Sequence, residues 1–371
     1  MFKRFRDILL RLITTRVAWP IVATIGLLCT ASILALQLSS PERADRQQIH
    51  IAVGAAVVLL ILMPHFQNFG RIAYALFGAV VVLLIAVYAT APINGARRWF
   101  QVTSSIQVQP SEIAKIAFVL TMAWYLRYRR NLDRISGLII PFALMLIPFA
   151  LILKEPDLGT ALLFPLTLYA MLIAAGARLR HLLTVALVVV LAAPGAYPFL
   201  SGYQQKRINE FVKPLMGLAE PGWHAARSRT AIGAGGVAGQ GAQGAQYIRR
   251  VPEAYTDFIF AVIGVQWGFV GCSVILLLYL AFFAAAVEIA ASTKDQFGRL
   301  MVVGISSMIL FQAMINIGMT IGLLPVVGIA LPFVSYGGSS LLMSMLAAGL
   351  LLNVSVRRQT HSAATLQYAA V

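Results

Sequence analysis

The clearest candidate for acid–base chemistry is a carboxylate at the start of a long apolar run. In the segment VPEAYTDFIFAVIG, Asp257 lies four residues after Glu253 and is followed by apolar residues. Pro252 suits the first turn of a helix and Glu253 suits its positive end, so both acids are expected on one helix face. An ionisable group at the edge of an apolar span is costly, which makes Asp257 a functional candidate.

A second charged pair lies in the segment QPSEIAKIAF. Pro110 marks a helix start, and the spacing of Glu112 and Lys115 allows an ion pair across one turn. Lys115 lies deeper in the apolar run and needs a partner or a route to the surface. Two interpretations stay open. The pair closes the helix end, or Lys115 also approaches Asp257 and helps to set its pKa.

Basic residues concentrate in the polar segment 199–255, which also holds the glycine-rich run GAGGVAGQGAQG. Such a run permits positive φ angles and close backbone approach. Arginine matches phosphate through its planar donor geometry, so an anionic ligand is one interpretation. A flexible surface loop is the other. The seven cations are Lys206, Arg207, Lys213, Arg227, Arg229, Arg249 and Arg250.

Two shorter polar clusters have equally open roles. Arg97 and Arg98 stand beside Trp99 in NGARRWF, where simple anchoring at a membrane interface is an alternative to ligand binding. Asp157 in KEPDLGT precedes an apolar run, where it suits a helix N-cap.

The elements that position these residues are predicted to be membrane-spanning helices. The chain has 371 residues, 60% of them hydrophobic and only 11% charged, whereas soluble domains carry about 25% charged residues. Long continuous apolar runs favour helices over barrel strands. We predict an all-α polytopic membrane protein with ten spans, near 17–38, 49–65, 72–91, 110–126, 136–153, 158–175, 182–198, 256–287, 300–320 and 338–356.

The distribution of Lys and Arg predicts the orientation of these spans. With the N-terminus inside, the inner segments hold sixteen such residues. The short outer loops hold five, namely Arg43, Arg46, Arg97, Arg98 and Lys154. Both termini are therefore expected in the cytoplasm, and 199–255 outside, between spans seven and eight. The first apolar run has full span length, so we expect it to be retained and not cleaved as a signal peptide. Membrane topology accounts for the inner share of the +16 net charge, and no nucleic-acid partner is predicted.

Several kinds of site are not indicated by the sequence. It has no D-x-D motif for a metal-bound nucleotide sugar, no P-loop and no dinucleotide fingerprint. Cys29 and Cys272 both fall inside apolar spans, which predicts packing roles and no disulfide. No metal site and no cofactor are evident, and dependence on a divalent cation stays open.

The motifs together resemble the SEDS family of cell-wall glycosyltransferases. The resemblance covers residues 94 to 353, and NIGM and PVVG look more like its elongation members (RodA) than its division members (FtsW). The first two spans carry little of it. The ordered segments are NGARRWF, QPSEIAK, EPDLGT, YQQKRI, AIGAGG, PEAYTDFIF, NIGM, LLPVVG and LPFVSYGGSS.

The resemblance implies a single membrane domain over 1–371 in the bacterial inner membrane. It implies polymerisation of lipid II into glycan strands with inversion, during cell elongation. Asp257 corresponds to the family's essential Asp in its PE-x-x-TD-F pattern. A class B penicillin-binding protein is the implied partner, and membrane lipid the surroundings. Glu112 and Lys115 join Asp257 as catalytic candidates. The implied substrate-binding residues are Arg97, Arg98, Gln204, Lys206, Arg207, Arg249, Glu253, Asp157 and Ser335.

The chain also departs from the family pattern. Val265 and Gln266 stand where the family usually has two acidic residues, Arg227 stands for a common Gln and Ala330 for a common Pro. The altered positions 265 and 266 leave an inactive scaffold as one other hypothesis. A transporter of lipid-linked precursor is another, because a ten-span bundle with intramembrane charges is compatible with it. A transporter needs polar groups along a path through the bilayer, whereas the ionisable groups here gather at the outer edge, which favours chemistry on one side.

Overall fold

A computed structural model describes residues 18–91, 97–101, 107–129, 131–220 and 222–357. Helices dominate, with one two-stranded antiparallel sheet that pairs Phe100 with Val108. The strands are β1 (Phe100–Gln101) and β2 (Gln107–Val108). The helices are α1 (Ala18–Ser39), α2 (Pro41–Leu62), α3 (Phe66–Arg71), α4 (Ala73–Ala86), α5 (Pro110–Leu126), α6 (Ile139–Lys154), α7 (Leu158–Ala174), α8 (Leu179–Ala196), α9 (Gly202–Leu215), α10 (Trp223–Ala234), α11 (Ala245–Ile248), α12 (Ile259–Ser292), α13 (Gln296–Thr320) and α14 (Gly338–Arg357).

Every predicted span falls on a helix. Among the described residues, six helices are long and apolar enough to cross a membrane, namely α1, α2, α12, α13, α14 and α6 with the turn that precedes it. Shorter apolar helices cover 73–89, 158–174 and 179–192. The second helix starts at Pro41, eight residues before its predicted start, because a proline suits a first turn despite the polar residues that follow. Arg43 and Arg46, expected in a loop, therefore lie on α2.

The core lies between α13, α14 and α5. The helices at the periphery of the bundle expose apolar side chains. In α13 and α14, 72% of the most apolar window is buried. In contrast, α8 exposes a continuous row of Leu and Val side chains, including Leu187 and Leu191. Because a bilayer accepts such side chains, this exposure agrees with a helix that faces lipid.

The first two helices pack against the last one. The hydroxyl of Ser32 donates to the carbonyl of Val334, and the amide of Gln47 donates to the carbonyl of Ser335. At the opposite end of the hairpin, the Asn353 amide donates to the carbonyl of Ile61. The first two helices are therefore joined to α14 and the segment before it by buried polar contacts as well as by apolar packing.

The glycine-rich run fills a break in α12. Gly268 has φ 64° and ψ −156°, which interrupts the helical hydrogen bonds. The backbone N–H groups of Phe269 and Val270 instead donate to the carbonyls of Gly236 and Val237, at 2.9 and 3.1 Å. The prediction of close backbone approach and positive φ angles in this run is confirmed.

The described residues in the rest of the segment 199–255 include further helices. The segment contains α9, α10 and α11, so the alternative of a flexible loop does not describe it. The side chain of Ser201 accepts from the backbone of Gln204, whose own side chain accepts from the backbone of Ser201. This reciprocal capping fixes the start of α9. The amide of Gln204 also donates to the carbonyl of Leu153, which ties α9 to the end of α6.

Candidate functional site

Asp257 lies in a tight turn and not in a helix, so the predicted helix start at Pro252 is wrong. The helix begins at Ile259. Glu253 has a positive φ of 47°, and its carbonyl accepts from the backbone N–H groups of Thr256, Asp257 and Phe258. The turn, and not a shared helix face, brings Glu253 and Asp257 together.

The carboxyl group of Asp257 faces a glycine across a narrow gap. Gly328 has φ 73°, and a Cβ atom added there would lie 3.2 Å from Oδ2 of Asp257. Burial raises the pKa of Asp257 to about 6, with further increases from Glu253 and Asp157. A hydrogen bond from Thr256 and the charge of Arg207 act in the opposite direction. At pH 7 most of this carboxyl is therefore ionised and able to accept a proton.

The turn is joined to the segment that precedes α14. The hydroxyl of Ser335 donates to the carbonyl of Thr256 and accepts from the backbone N–H of Leu331. The backbone N–H of Tyr336 donates to the carbonyl of Tyr255 at 2.9 Å. Ser335 is buried, so the structure places this predicted substrate-binding residue in the framework behind Asp257.

Glu112 and Lys115 form the predicted ion pair, with 2.8 Å between Oε1 and Nζ. Lys115 also donates to Oε1 of Gln312 at 2.9 Å, and Gln312 in turn donates to the carbonyl of Ala330. Both charged residues are buried. Lys115 is not among the charges that shift the pKa of Asp257. The pair joins α5 to α13 and, through Gln312, to the loop that holds Gly328.

Arg97 and Arg98 both bind backbone carbonyls. Arg97 donates to the carbonyl of Tyr88 at 2.8 Å, and Arg98 donates to those of Glu155 and Pro156 at 2.7 and 2.6 Å. The two arginines therefore bind the backbone just after α4 and just after α6.

Two buried acids lie beside Arg98. Asp157 caps α7 by accepting from the backbone of Thr160, as predicted, and its other oxygen accepts from the amide of Gln109. Glu155 is 1% exposed, and neither of its carboxyl oxygens has a hydrogen-bond partner among the described residues. Burial raises the pKa of Glu155 to about 8, helped by Asp157 and opposed by Arg98. Glu155 is therefore mainly protonated at pH 7.

A cleft opens between α9, α10 and the loop that follows α13. Its volume is about 170 Å³, and its polar lining comprises Arg207, Glu210, His224 and Arg229. Apolar lining is supplied by Phe211, Pro214, Leu215, Leu324, Pro325 and Val326. The cleft combines cations with apolar surface, a suitable pairing for a ligand that is both anionic and apolar.

His224 connects this cleft to the turn that carries Asp257. Its ring stacks on Phe258, the residue after Asp257, with 6.4 Å between ring centroids and 9° between planes. Burial lowers the pKa of His224, with Arg207 and Lys206 acting in the same direction and Glu210 and Glu253 opposing. The imidazole is therefore neutral at pH 7.

The remaining predicted cations lie nearer the surface. The Lys206 side chain is 75% exposed and its Nζ lies 3.9 Å from Glu210. It lines a second, more open cavity of about 410 Å³ with Lys213 and Glu220. Arg249 is exposed just after α11. Of the cations among the predicted substrate-binding residues, only Arg207 lines the cleft and shifts the pKa of Asp257.

Four residues that shape the site were not identified from the sequence. Asn316 and Gln312 could have been noticed as amides within an apolar span, and Gly328 as part of LLPVVG. No local pattern distinguishes His224. In the part of the chain that the structure describes, no group of three or more His, Cys, Asp or Glu residues is arranged to hold a metal ion.

The fold and the site define a multi-pass membrane protein with a partly buried carboxylate next to a basic, partly apolar cleft. Comparison with known sequences then gives the family. The FtsW, RodA and SpoVE family model, described as "Cell cycle protein", matches residues 10–360. The chain therefore belongs to this family, as its motifs indicated.

Three similar proteins illustrate the relationship. A probable peptidoglycan glycosyltransferase FtsW of Trichlorobacter lovleyi is 37% identical, covering 84% of this chain and 82% of the relative. Peptidoglycan glycosyltransferase MrdB of Helicobacter pylori is 34% identical, covering 90% and 88%. A solved structure described as "Structural coordination of polymerization and crosslinking by a peptidoglycan synthase complex" is 30% identical with a TM-score of 0.80, covering 92% of this chain and 98% of the other.

Proposed function

We propose that this chain is a peptidoglycan glycosyltransferase that polymerises lipid II into glycan strands with inversion. The observation that carries the proposal is the carboxylate of Asp257, ionised at pH 7 and next to a basic cleft. Its relatives of comparable length named peptidoglycan glycosyltransferase support the same activity.

In the proposed reaction Asp257 acts as the general base. It takes the proton from a hydroxyl group of the acceptor sugar, and that oxygen forms a bond to the anomeric carbon of the donor. The bond from the anomeric carbon to the pyrophosphate oxygen breaks, and the lipid pyrophosphate leaves with the electron pair. A pKa of about 6 suits this role, because the carboxylate is both present at pH 7 and more basic than an ordinary aspartate.

We assign the departing pyrophosphate to the cleft between α9 and α10. Arg207 and Arg229 can neutralise its charge, and neutral His224 can donate one hydrogen bond. Leu215 and Leu324 offer an apolar exit for the start of the prenyl chain. Arg97, Arg98 and Gln204 support this site by fixing the backbone around it, because their described contacts are with backbone groups.

The setting of the activity is also proposed. We place the chain in the bacterial inner membrane with ten spans, both termini in the cytoplasm and the cleft outside. The motifs NIGM and PVVG favour a role in elongation. The likeness to a peptidoglycan synthase complex supports a class B penicillin-binding protein as the partner that cross-links the product.

Polymerisation of labelled lipid II by the purified protein, with and without such a partner, tests the proposal. We expect Asp257→Asn to reduce the rate by about 10²- to 10⁴-fold, the usual contribution of a general base. Asp45→Asn, the same change at an exposed position on α2, should retain the wild-type rate.

Normal polymerisation by Asp257→Asn would remove the base assignment. If the wild type makes no glycan but moves lipid II across vesicle membranes, the transporter is the correct function. If the wild type neither polymerises nor moves lipid II when the partner is present, the chain is an inactive scaffold.

A further inference from the structure

We infer that Asn316 is a positioning residue that holds the carboxyl group of Asp257 against the loop containing Gly328. This inference rests on the proposed function for its kinetic consequences, and on the geometry alone for its structural ones. Asn316 belongs to the NIGM segment near the end of α13, and nothing in the proposed reaction uses its side chain.

One amide group bonds to both sides of the site. Nδ2 of Asn316 donates to the carbonyl of Asp257 at 2.7 Å and to the carbonyl of Ile329 at 2.6 Å. Asn316 is fully buried, and its Oδ1 has no hydrogen-bond partner among the described residues. The side chain therefore serves as a double donor, and its two acceptors belong to the base and to the residue after Gly328.

The gap that this amide fixes is narrow. Oδ2 of Asp257 lies 3.2 Å from the position that a Cβ atom of residue 328 would take. A distance of this size is tighter than ordinary van der Waals contact, so only glycine leaves the carboxyl in place without an adjustment. A small shift of either backbone segment would change how far water and an acceptor hydroxyl can approach the carboxylate.

Gln312 provides a matched comparison one turn earlier on the same face of α13. Its amide nitrogen donates to the carbonyl of Ala330 at 2.9 Å, next to Ile329, and its amide oxygen accepts from Lys115 and not from the Asp257 turn. Gln312 thus joins the loop to Lys115 of α5, whereas Asn316 joins the loop to the base. Replacing each amide by leucine removes the hydrogen bonds while keeping side chains of similar bulk.

The kinetic test compares Asn316→Leu with Gln312→Leu under the same conditions. We expect Asn316→Leu to lower kcat by about 10- to 100-fold and to leave the KM for lipid II within about twofold, because the cleft is not altered. The decrease in log kcat caused by Gln312→Leu should be less than half of the decrease caused by Asn316→Leu. Equal losses in the two variants, or wild-type kcat in Asn316→Leu, would contradict the inference.

A second measurement does not depend on activity. The thermal midpoint is followed from pH 4 to 8 for the wild type and Asn316→Leu, each with and without Asp257→Asn. The difference within each pair isolates the titration of Asp257. We expect the titration midpoint of Asp257 near pH 6 in the wild type. In Asn316→Leu it should be at least half a pH unit lower, because release of the turn admits water to the carboxyl group.

If the titration midpoint of Asp257 is the same in Asn316→Leu as in the wild type, the inference is wrong even if polymerisation is confirmed. If the titration midpoint of Asp257 shifts in Asn316→Leu but the wild type does not polymerise lipid II, the inference stands and the proposed function is rejected.

Discussion

At the scale of single residues, the site depends on where each carboxyl group keeps its proton. Asp257 and Glu155 both have a raised pKa because burial disfavours their charged forms, yet they lie on opposite sides of neutrality. Asp257 is mainly ionised at pH 7, and Glu155 is mainly protonated. The charge of Asp157 raises the pKa of both residues. The environment thus leaves Asp257 ionised at a pH at which Glu155 keeps its proton.

The pKa of Asp257 predicts an acid limit to activity. Because the base form is lost as the pH falls through about 6, kcat/KM should decrease by about tenfold at pH 5. Glu253 raises this pKa, so Glu253→Gln should move the acid limb of the pH profile to lower pH. Rates of polymerisation between pH 4.5 and 8 test both expectations.

Glu220→Gln is the control for that series, because Glu220 is exposed and lies outside the Asp257 turn. An acid limb that stays in place in Glu253→Gln, or moves equally in Glu220→Gln, would show that the limb reports another group.

The raised pKa of Glu155 predicts that the stability of the folded protein decreases as the pH rises. Its pKa rises from 4.5 to about 8 on folding, so the folded state binds more protons between these values. Stability contributed by the protonated form is therefore lost as the pH rises, by up to about 1.4 kcal/mol per unit. Glu155→Gln, which is neutral throughout, should flatten the decline of the thermal midpoint from pH 6 to 8.

The matched control is Glu42→Gln at an exposed position on α2. A decline of the same slope in Glu155→Gln and the wild type would contradict the assignment of that slope to Glu155.

At the scale of elements, α12 is best understood as two helices joined by borrowed backbone contacts. Its 34 residues would measure about 51 Å as one continuous helix, well beyond a hydrocarbon core of about 30 Å. The break at Gly268 separates a short first part, which follows Asp257, from a long second part. The run 235–240 lies in the break, and the N–H of Gln240 donates to the carbonyl of Val265.

This contact predicts a sharp difference between neighbouring glycines. A Cβ atom at Gly235 would overlap the carbonyl oxygen of Gly264, whereas at Gly233 it would meet no atom within 4 Å. Gly235→Ala should therefore lower the thermal midpoint by several degrees and reduce activity, because the first part of α12 must move. Gly233→Ala, inside α10, should be neutral or slightly stabilising.

Thermal unfolding and polymerisation rates of the two variants provide the measurement. Equal behaviour of Gly233→Ala and Gly235→Ala would show that the loop does not fix α12.

Local patterns predicted the helices well, because apolar runs, first-turn prolines and caps act over a few residues. Pro110 does begin α5, Asp157 does cap α7, and Glu112 does pair with Lys115. The start of α12 was placed wrongly because the Asp257 turn is held by distant partners. Asn316 and Ser335 bond to its carbonyls from 59 and 79 residues away. No local spacing contains such information.

At the scale of the whole molecule, the charged site residues and the basic cleft lie around one end of the bundle. The Asp257 turn, the 155–157 turn and α9 are joined by the electrostatic and hydrogen-bond contacts described above. At the opposite ends of the helices, Arg178 lies 3.4 Å from Asp133, away from this site. The arrangement favours chemistry at one membrane face over a polar path across it.

The proposed orientation can be tested by cysteine labelling in intact cells. Gln243 is exposed in the glycine-rich segment, so Gln243→Cys should react with an impermeant maleimide from outside. Tyr128 is 79% exposed at the predicted inner end of α5, so Tyr128→Cys should react only after permeabilisation. Cys29 and Cys272 are buried and should give a low background.

Reaction of Gln243→Cys only from the cytoplasmic side would reverse the topology and, with it, the side on which the proposed chemistry occurs.

The joining of α1 and α2 to α14 has a consequence for biogenesis. The first helices leave the ribosome long before α14, yet Ser32 and Gln47 bond to residues 334 and 335, and Ile61 accepts from Asn353. Until synthesis is almost finished, these buried polar groups lack their final partners. A chain truncated before α14 would therefore expose them in the membrane and become a substrate for quality-control proteases, so that only complete chains accumulate.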